Sequence, residues 1–325
     1  MALHRILATA ATIALGTALA GCGGSGGSAG GSGVVSTPPP VVPPPPPAAA
    51  APPIGLTQQG EFATLAVNSS FTTRPDGLVS GDLGSDLSGT VQFRYLGAAQ
   101  GYEVQLPGLV PGRVETTSNS ANENYSSNIV RNGNTPGTQQ AALSLYRPGA
   151  GNTHFALTYT SYGIWGSGNP SQPGPHTGGY FAYGVPTAAG DVPTSGTGTY
   201  NAVVHGITLD SGGTGIGGEA RLVFDFAAGT LGGFMRANWT GNYFNDGSIA
   251  ELGQYDFTQT VYGAGSTTFS GRFNVPGSTA SSFFEGRLTG PQAAELMARW
   301  QAPYLNPSTE QWGTMQGVWL GRRTP

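Results

Sequence analysis

From about Gly60 to the C-terminus, short runs of alternating apolar and polar residues are cut by clusters of Gly, Asn, Pro and Ser. Nothing else in the chain constrains its fold as much: such breaks interrupt helices, whereas turns between strands need these residues. In 219–226, Ala220, Leu222, Phe224 and Phe226 fall on one face of a strand. Ala227-Ala228-Gly229 then supplies a three-residue loop with Gly where positive φ is required, and 230–239 returns as the second strand. A second hairpin joins 269–275 to 281–289 around Pro276-Gly277-Ser278. A register symmetric about Ser278 and Thr279 sets Phe273 opposite Phe284 and Arg272 opposite Glu285. Further strands are expected at 155–165, 179–185, 197–205, 254–262 and 313–321. One short helix is expected over 293–300, after Gly290-Pro291 and before Pro303.

The segment from 155 onward thus supplies nine short strands. Closing a sheet removes its edges, so an antiparallel barrel of about eight strands is expected over 151–325, with one strand outside it. The 56–150 segment reads as a smaller β subdomain with strands at 91–95, 101–106 and 141–146. The Ser-, Thr-, Asn- and Gly-rich stretch 113–140 reads as a long loop.

The first 55 residues have a different character. Met1 to Arg5 is a short basic start, and an apolar run to Ala20 follows, too short to span a bilayer comfortably. The chain then reads Leu19-Ala20-Gly21-Cys22, and Cys22 is its single cysteine. Gly and Ser dominate 23–33, and 38–53 carries ten of the 25 prolines. A flexible coil followed by a polyproline II stretch is a spacer, with a reach of roughly 50 Å for the proline-rich part at ~3.1 Å per residue.

Composition excludes several functions. Only 9% of residues are charged, the 13 basic residues are all Arg, and the net charge is −4. No basic stripe exists to neutralise nucleic-acid phosphates. One Cys excludes a disulfide framework and a cysteine-based zinc site. The Gly213-x-Gly215-x-x-Gly218 string matches a dinucleotide fingerprint in letters, but a strand, not a helix, follows it. Carboxylates are scattered, and Asp225 at a hairpin end suits capping of turn amides. His205, at a strand end, reads as structural. His176 lies in the Pro- and Gly-rich segment 166–178, expected to project as a loop. With Trp165 and Tyr180 near it, His176 is the candidate ligand-binding position, and haem is the cofactor such a set would suit. No catalytic or metal-binding residues are assigned.

Several strings occur in one order: Tyr159-Thr160-Ser161-Tyr162-Gly163-Ile164-Trp165, Phe181-Ala182-Tyr183-Gly184, and Pro193-Thr194-Ser195-Gly196-Thr197-Gly198-Thr199-Tyr200. Asp225-Phe226, Phe269-Ser270-Gly271, Gly286-Arg287-Leu288-Thr289-Gly290-Pro291 and Gly317-Val318-Trp319-Leu320-Gly321-Arg322 follow. Together they resemble the barrel domain of the transferrin-binding protein B superfamily of bacterial surface lipoproteins, which includes factor-H-binding and hemophilin-like members. Residues 19–22 likewise resemble a lipoprotein box. The resemblance implies acylation (palmitate among the chains) at Cys22 and an eight-stranded barrel beside a smaller handle. It further implies display from the outer membrane as a monomer, and non-enzymatic binding of a protein or a haem or iron source. The full transferrin receptor has two such lobes. The 270 residues here accommodate one, and transferrin is not carried over as the ligand.

Overall fold

A computed structural model describes residues 55–73, 75, 79–86, 89–118, 124–132, 138–167, 173–209, 214–240 and 249–324. The signal-like segment, Cys22 and the tether to residue 54 lie outside them. Two antiparallel sheets account for almost all of the described structure. The first holds β1 (Gly60–Glu61), β2 (Ala63–Thr73), β3 (Val79–Asp86), β4 (Gln92–Tyr95) and β5 (Tyr102–Gln105). It continues with β6 (Gly112–Ser118), β7 (Tyr125–Asn132), β8 (Gln139–Tyr146), β9 (Thr160–Ser167) and β10 (Gly174–Gly184). The strand order is β1-β4-β5-β6-β7-β8-β9-β10-β2-β3. Only Phe62 separates β1 from β2, and its N–H donates to the Phe93 carbonyl (2.9 Å), while the Thr64 hydroxyl donates to that of Val91. The sheet therefore rolls around an apolar core that includes Phe93, Val104, Leu145, Trp165 and Phe181.

The second sheet is a closed barrel of eight strands in sequence order. These are β11 (Thr197–Thr208), β12 (Gly215–Asp225), β13 (Thr230–Trp239), β14 (Ala250–Val261), β15 (Thr268–Asn274), β16 (Phe283–Thr289), β17 (Glu295–Leu305) and β18 (Trp312–Arg323). The ladder closes where β18 pairs with β11. An eight-stranded barrel has just enough interior for side chains to fill, and here they do. Trp239, Trp300 and Trp319 are fully buried, with the Phe257 and Phe284 rings 5.4 and 5.3 Å from Trp319. Such rings fit because Gly206 pairs with Gly317. A Cβ at Gly317 would lie 1.9 Å from the His205 carbonyl, and one at Gly206 2.9 Å from the Trp300 ring. The outer wall of β12–β16 exposes Glu219, Arg221, Arg236, Asp256, Arg272 and Glu285. An Arg on a lipid-facing wall costs about 2–4 kcal/mol near the midplane and a carboxylate somewhat less, so this wall faces water.

The all-β architecture, the eight-stranded barrel and the β12–β13 hairpin match expectation; the hairpin loop runs one residue longer, Phe226 to Gly229. Four details differ. First, β9 and β10, read as barrel strands, pair in the rolled sheet, and the barrel begins at Thr197. Second, 113–140 is no loop: it contains β6 and β7. Two of its inward side chains, Ser126 and Asn128, are polar and satisfy each other, which breaks the apolar alternation that Val114 and Val130 would otherwise carry. Asn128 Nδ2 donates to the Ser126 carbonyl and hydroxyl at 3.0 and 2.9 Å, and the Thr116 hydroxyl donates to Asn128 Oδ1 at 3.0 Å.

Third, the expected helix reduces to a 3₁₀ turn at Pro291–Ala293, and strand β17 follows. One face of β17 lines the barrel and the other lies under the rolled sheet, so Glu295, Leu296, Met297 and Ala298 are all buried. A run buried on both faces has no period of two to read. Fourth, the β15–β16 register is offset by two. Phe269 faces Gly286, Gly271 faces Phe284, and Ser270 faces Glu285. Each Phe ring occupies the place of the opposite glycine's missing side chain, with Cβ-to-ring distances of 2.0 and 2.4 Å if side chains were added.

Candidate functional site

The seam between sheet and barrel fixes one face of the molecule. Tyr146, Leu157, Tyr162 and Ala182 pack with Met297, Val318 and Leu320 from the outer faces of β17 and β18. Polar ties run alongside. Arg299 Nη1 donates to the Ala66 carbonyl (3.2 Å), Gln316 Nε2 to that of Asn68 (2.9 Å), and the Thr160 and Thr289 hydroxyls share a hydrogen bond of 2.6 Å. The buried Glu295 carboxylate accepts the backbone N–H groups of Thr158 (2.7 Å) and Tyr159 (2.9 Å). Burial pushes its pKa up, and these hydrogen bonds pull it part of the way back. His205 lies within β11, not at its end, and stacks on Tyr162 with ring centres 4.5 Å apart. Burial, with a smaller contribution from His154, lowers its pKa to about 4. Both groups hold the seam together, which leaves them poorly placed for acid–base work on a ligand.

The candidate ligand-binding residues are divided by the sheet. Segment 166–178 supplies the end of β9 and, from Gly174, the start of β10, and the expected loop between them, 168–172, lies outside the described residues. His176 sits inside β10, directly opposite Phe71, with the two rings stacked at 5.2 Å and its Nδ1 3.4 Å from the Ser167 carbonyl. It is 6% exposed. Tyr180, four residues on, shares that face and packs into the seam, where burial pushes its pKa up to about 12. Trp165 pairs with Gly179 and points the other way, into the sheet's core. The structure thus brings His176 and Tyr180 onto one face and puts Trp165 on the other. Asp225 caps the Ala227 and Ala228 amides as expected. Glu285 pairs with Arg299 (2.7 Å), not with Arg272. Among the described residues, no three His, Cys, Asp or Glu side chains gather to hold a metal ion.

An exposed apolar rim is the feature that sequence reasoning misses. The β11–β12, β13–β14, β15–β16 and β17–β18 connections all lie at one end of the barrel. At this end Ile249, Leu305 and Trp312 are 63%, 46% and 45% exposed. Leu305 and Trp312 are cross-strand partners, and the Trp312 ring lies beside Gly277 of the neighbouring hairpin. The available signal was a Trp at a strand start, directly after the polar turn Asn306-Pro307-Ser308-Thr309-Glu310-Gln311. The described chain begins near the opposite end. Gly55 lies against Tyr183, and the Leu56 carbonyl accepts the Tyr102 hydroxyl (2.8 Å). Tyr183 is one residue from Gly184, which touches Thr289 at the far end of β16.

No protein-family model matches the sequence, and no curated protein matches it. Among solved structures, the chain is similar to a transferrin binding protein B variant from Haemophilus parasuis, with 10% identity, 82% of this chain and 78% of that one covered, and a TM-score of 0.42. It is similar to isotype 1 transferrin binding protein B from serogroup B Neisseria meningitidis, with 15% identity, coverage of 80% and 44%, and a TM-score of 0.36. The N-lobe of lactoferrin binding protein B from Moraxella bovis has 11% identity, coverage of 80% and 99%, and a TM-score of 0.35.

Proposed function

We propose that this chain is an outer-membrane lipoprotein that binds a ligand, most simply a protein, without catalysing a reaction. Acylated Cys22 would hold it in the membrane, since two or more buried acyl chains anchor stably. The Gly/Ser and proline-rich segment would give it reach. The supporting observation is the opposition of two ends: the chain enters the folded body near one end, and Ile249, Leu305 and Trp312 are exposed at the other. An extended spacer leaving from that end would let the apolar rim face away from the bilayer. The barrel interior is filled by its own aromatic side chains, so binding falls to the surface. A few aromatic and large apolar residues commonly dominate such contacts.

The test is photo-crosslinking on intact cells from position 305 and, as a control, from Arg221 on the barrel wall. The expected result is a discrete adduct from position 305 that Trp312→Ala reduces at least tenfold, with none from 221. Equal labelling at both positions would sink the rim as the binding surface. Haemin titration of the same protein covers the haem reading: a saturating Soret shift that His176→Ala abolishes would replace protein capture with haem capture.

A further inference from the structure

A depression of about 750 Å³ lies on the outer barrel wall where β12, β13 and β14 run side by side, within the size range of small-ligand sites. We propose that it is a subsite for a neutral saccharide. Its floor is backbone, because Gly218 and Gly253 both have positive φ (138° and 107°) and bring no side chain. A Cβ at Gly218 would sit 2.1 Å from the Arg236 carbonyl, so that part of the floor must stay bare. Between Ala237 and Asn238 the β13–β14 register shifts, setting Asn238 opposite Glu251 and Ala237 opposite Gly253.

The walls are Glu219, Arg236, Asn238, Glu251 and Gln254. Each ends in a planar group, and together they offer both donors and acceptors, the combination that vicinal hydroxyls can satisfy. Several are already held in place. Arg236 donates to Gln254 Oε1 (3.1 Å) and Glu219 Oε1 (3.3 Å), and Gln254 Nε2 donates to Asp256 Oδ1 (2.8 Å). Side chains fixed before binding lose less freedom on contact. Two carboxylates against one guanidinium repel anionic sugars. Ile249, just before β14, places the depression next to the apolar rim.

The test applies the full chain in detergent to an array of neutral and sialylated oligosaccharides, with a set of arginine- and lysine-bearing peptides as the competing ligand class. The expected result is retention of neutral glycans only, with a loss of at least tenfold in both Asn238→Ala and Gln254→Ala and no change in Trp312→Ala. Both altered positions lie on the water-facing wall, and unchanged thermal melting would show the fold intact. Absence of glycan binding, glycan binding indifferent to Asn238→Ala, or binding confined to the cationic peptides would each overturn the proposal. The Trp312→Ala arm separates this outcome from failure of the rim.

Discussion

The barrel and the rolled sheet enclose apolar cores of similar kind by different means. Every barrel strand is paired on both sides, and the closure between β11 and β18 runs over nine residue pairs. The rolled sheet has end strands. It completes its circuit through the bend at Phe62, side-chain bonds such as Asn68 Nδ2 to the Gly89 carbonyl (2.9 Å), and the seam against β17 and β18. One unit is closed by its own backbone, whereas the other borrows a wall. The barrel should therefore hold the sheet in place, and the sheet should be the first part to loosen.

Truncating one core at a time should have the largest effect. Trp319→Ala should cost about 3–5 kcal/mol and unfold both units together in chemical denaturation, because the sheet loses its support. Phe93→Ala removes a ring of comparable burial from the sheet. It should cost a similar amount yet leave the amides of β12 and β13 protected in hydrogen exchange. Equal loss of protection in both units would show that the barrel does not stand alone.

Acid should act on the seam next. His205 is held near pKa 4 when folded and returns to about 6.5 when unfolded. Its contribution is complete above pH 6.5 and is lost as pH falls toward 4, up to about 3 kcal/mol in all. The raised Glu295 carboxyl works in the opposite sense, favouring the fold when protonated, so the slope between pH 6.5 and 4 sums both groups and substitution of His205 identifies the histidine's share. His205→Gln should flatten the stability profile there. A slope unchanged by the substitution would remove His205 as its source.

Smaller effects should follow from the polar ties. Glu295→Gln replaces one accepting oxygen with a donor facing a backbone N–H. It should cost about 1–3 kcal/mol, with faster exchange at Thr158 and Tyr159 before any change in β12. Glu285→Ala removes the partly exposed pair with Arg299 and should shift stability by less than about 1 kcal/mol. A larger loss would mean that this ion pair helps bind the sheet to the barrel.

The same difference between the units explains what could be read from sequence. Strands β12 and β13 have one wet and one dry face and a Gly229 turn, so alternation reveals them. Strand β17 is dry on both faces and resembles a helix. Strand β2 carries buried Asn68 and Ser69 between apolar residues and shows no pattern at all. In β7 the inward Ser126 and Asn128 satisfy each other, which looks from outside like a polar loop. Strands β9 and β10 could be found, but their sheet could not, because pairing partners are set by packing between distant segments. The same reason separates Trp165 from His176 and Tyr180: alternation puts 176 and 180 on one face of their strand but does not say which face of the neighbouring strand lies beside it. Trp312 needed a structure for a simpler reason, since a strand-start Trp is more often buried.

Anchored display is decided by membrane partitioning of wild type and Cys22→Ala, with protease added to intact cells. The wild-type chain should enter the detergent phase and be cleaved from outside, while Cys22→Ala is recovered in the soluble fraction. A Cys22→Ala protein that still partitions with membranes would contradict it.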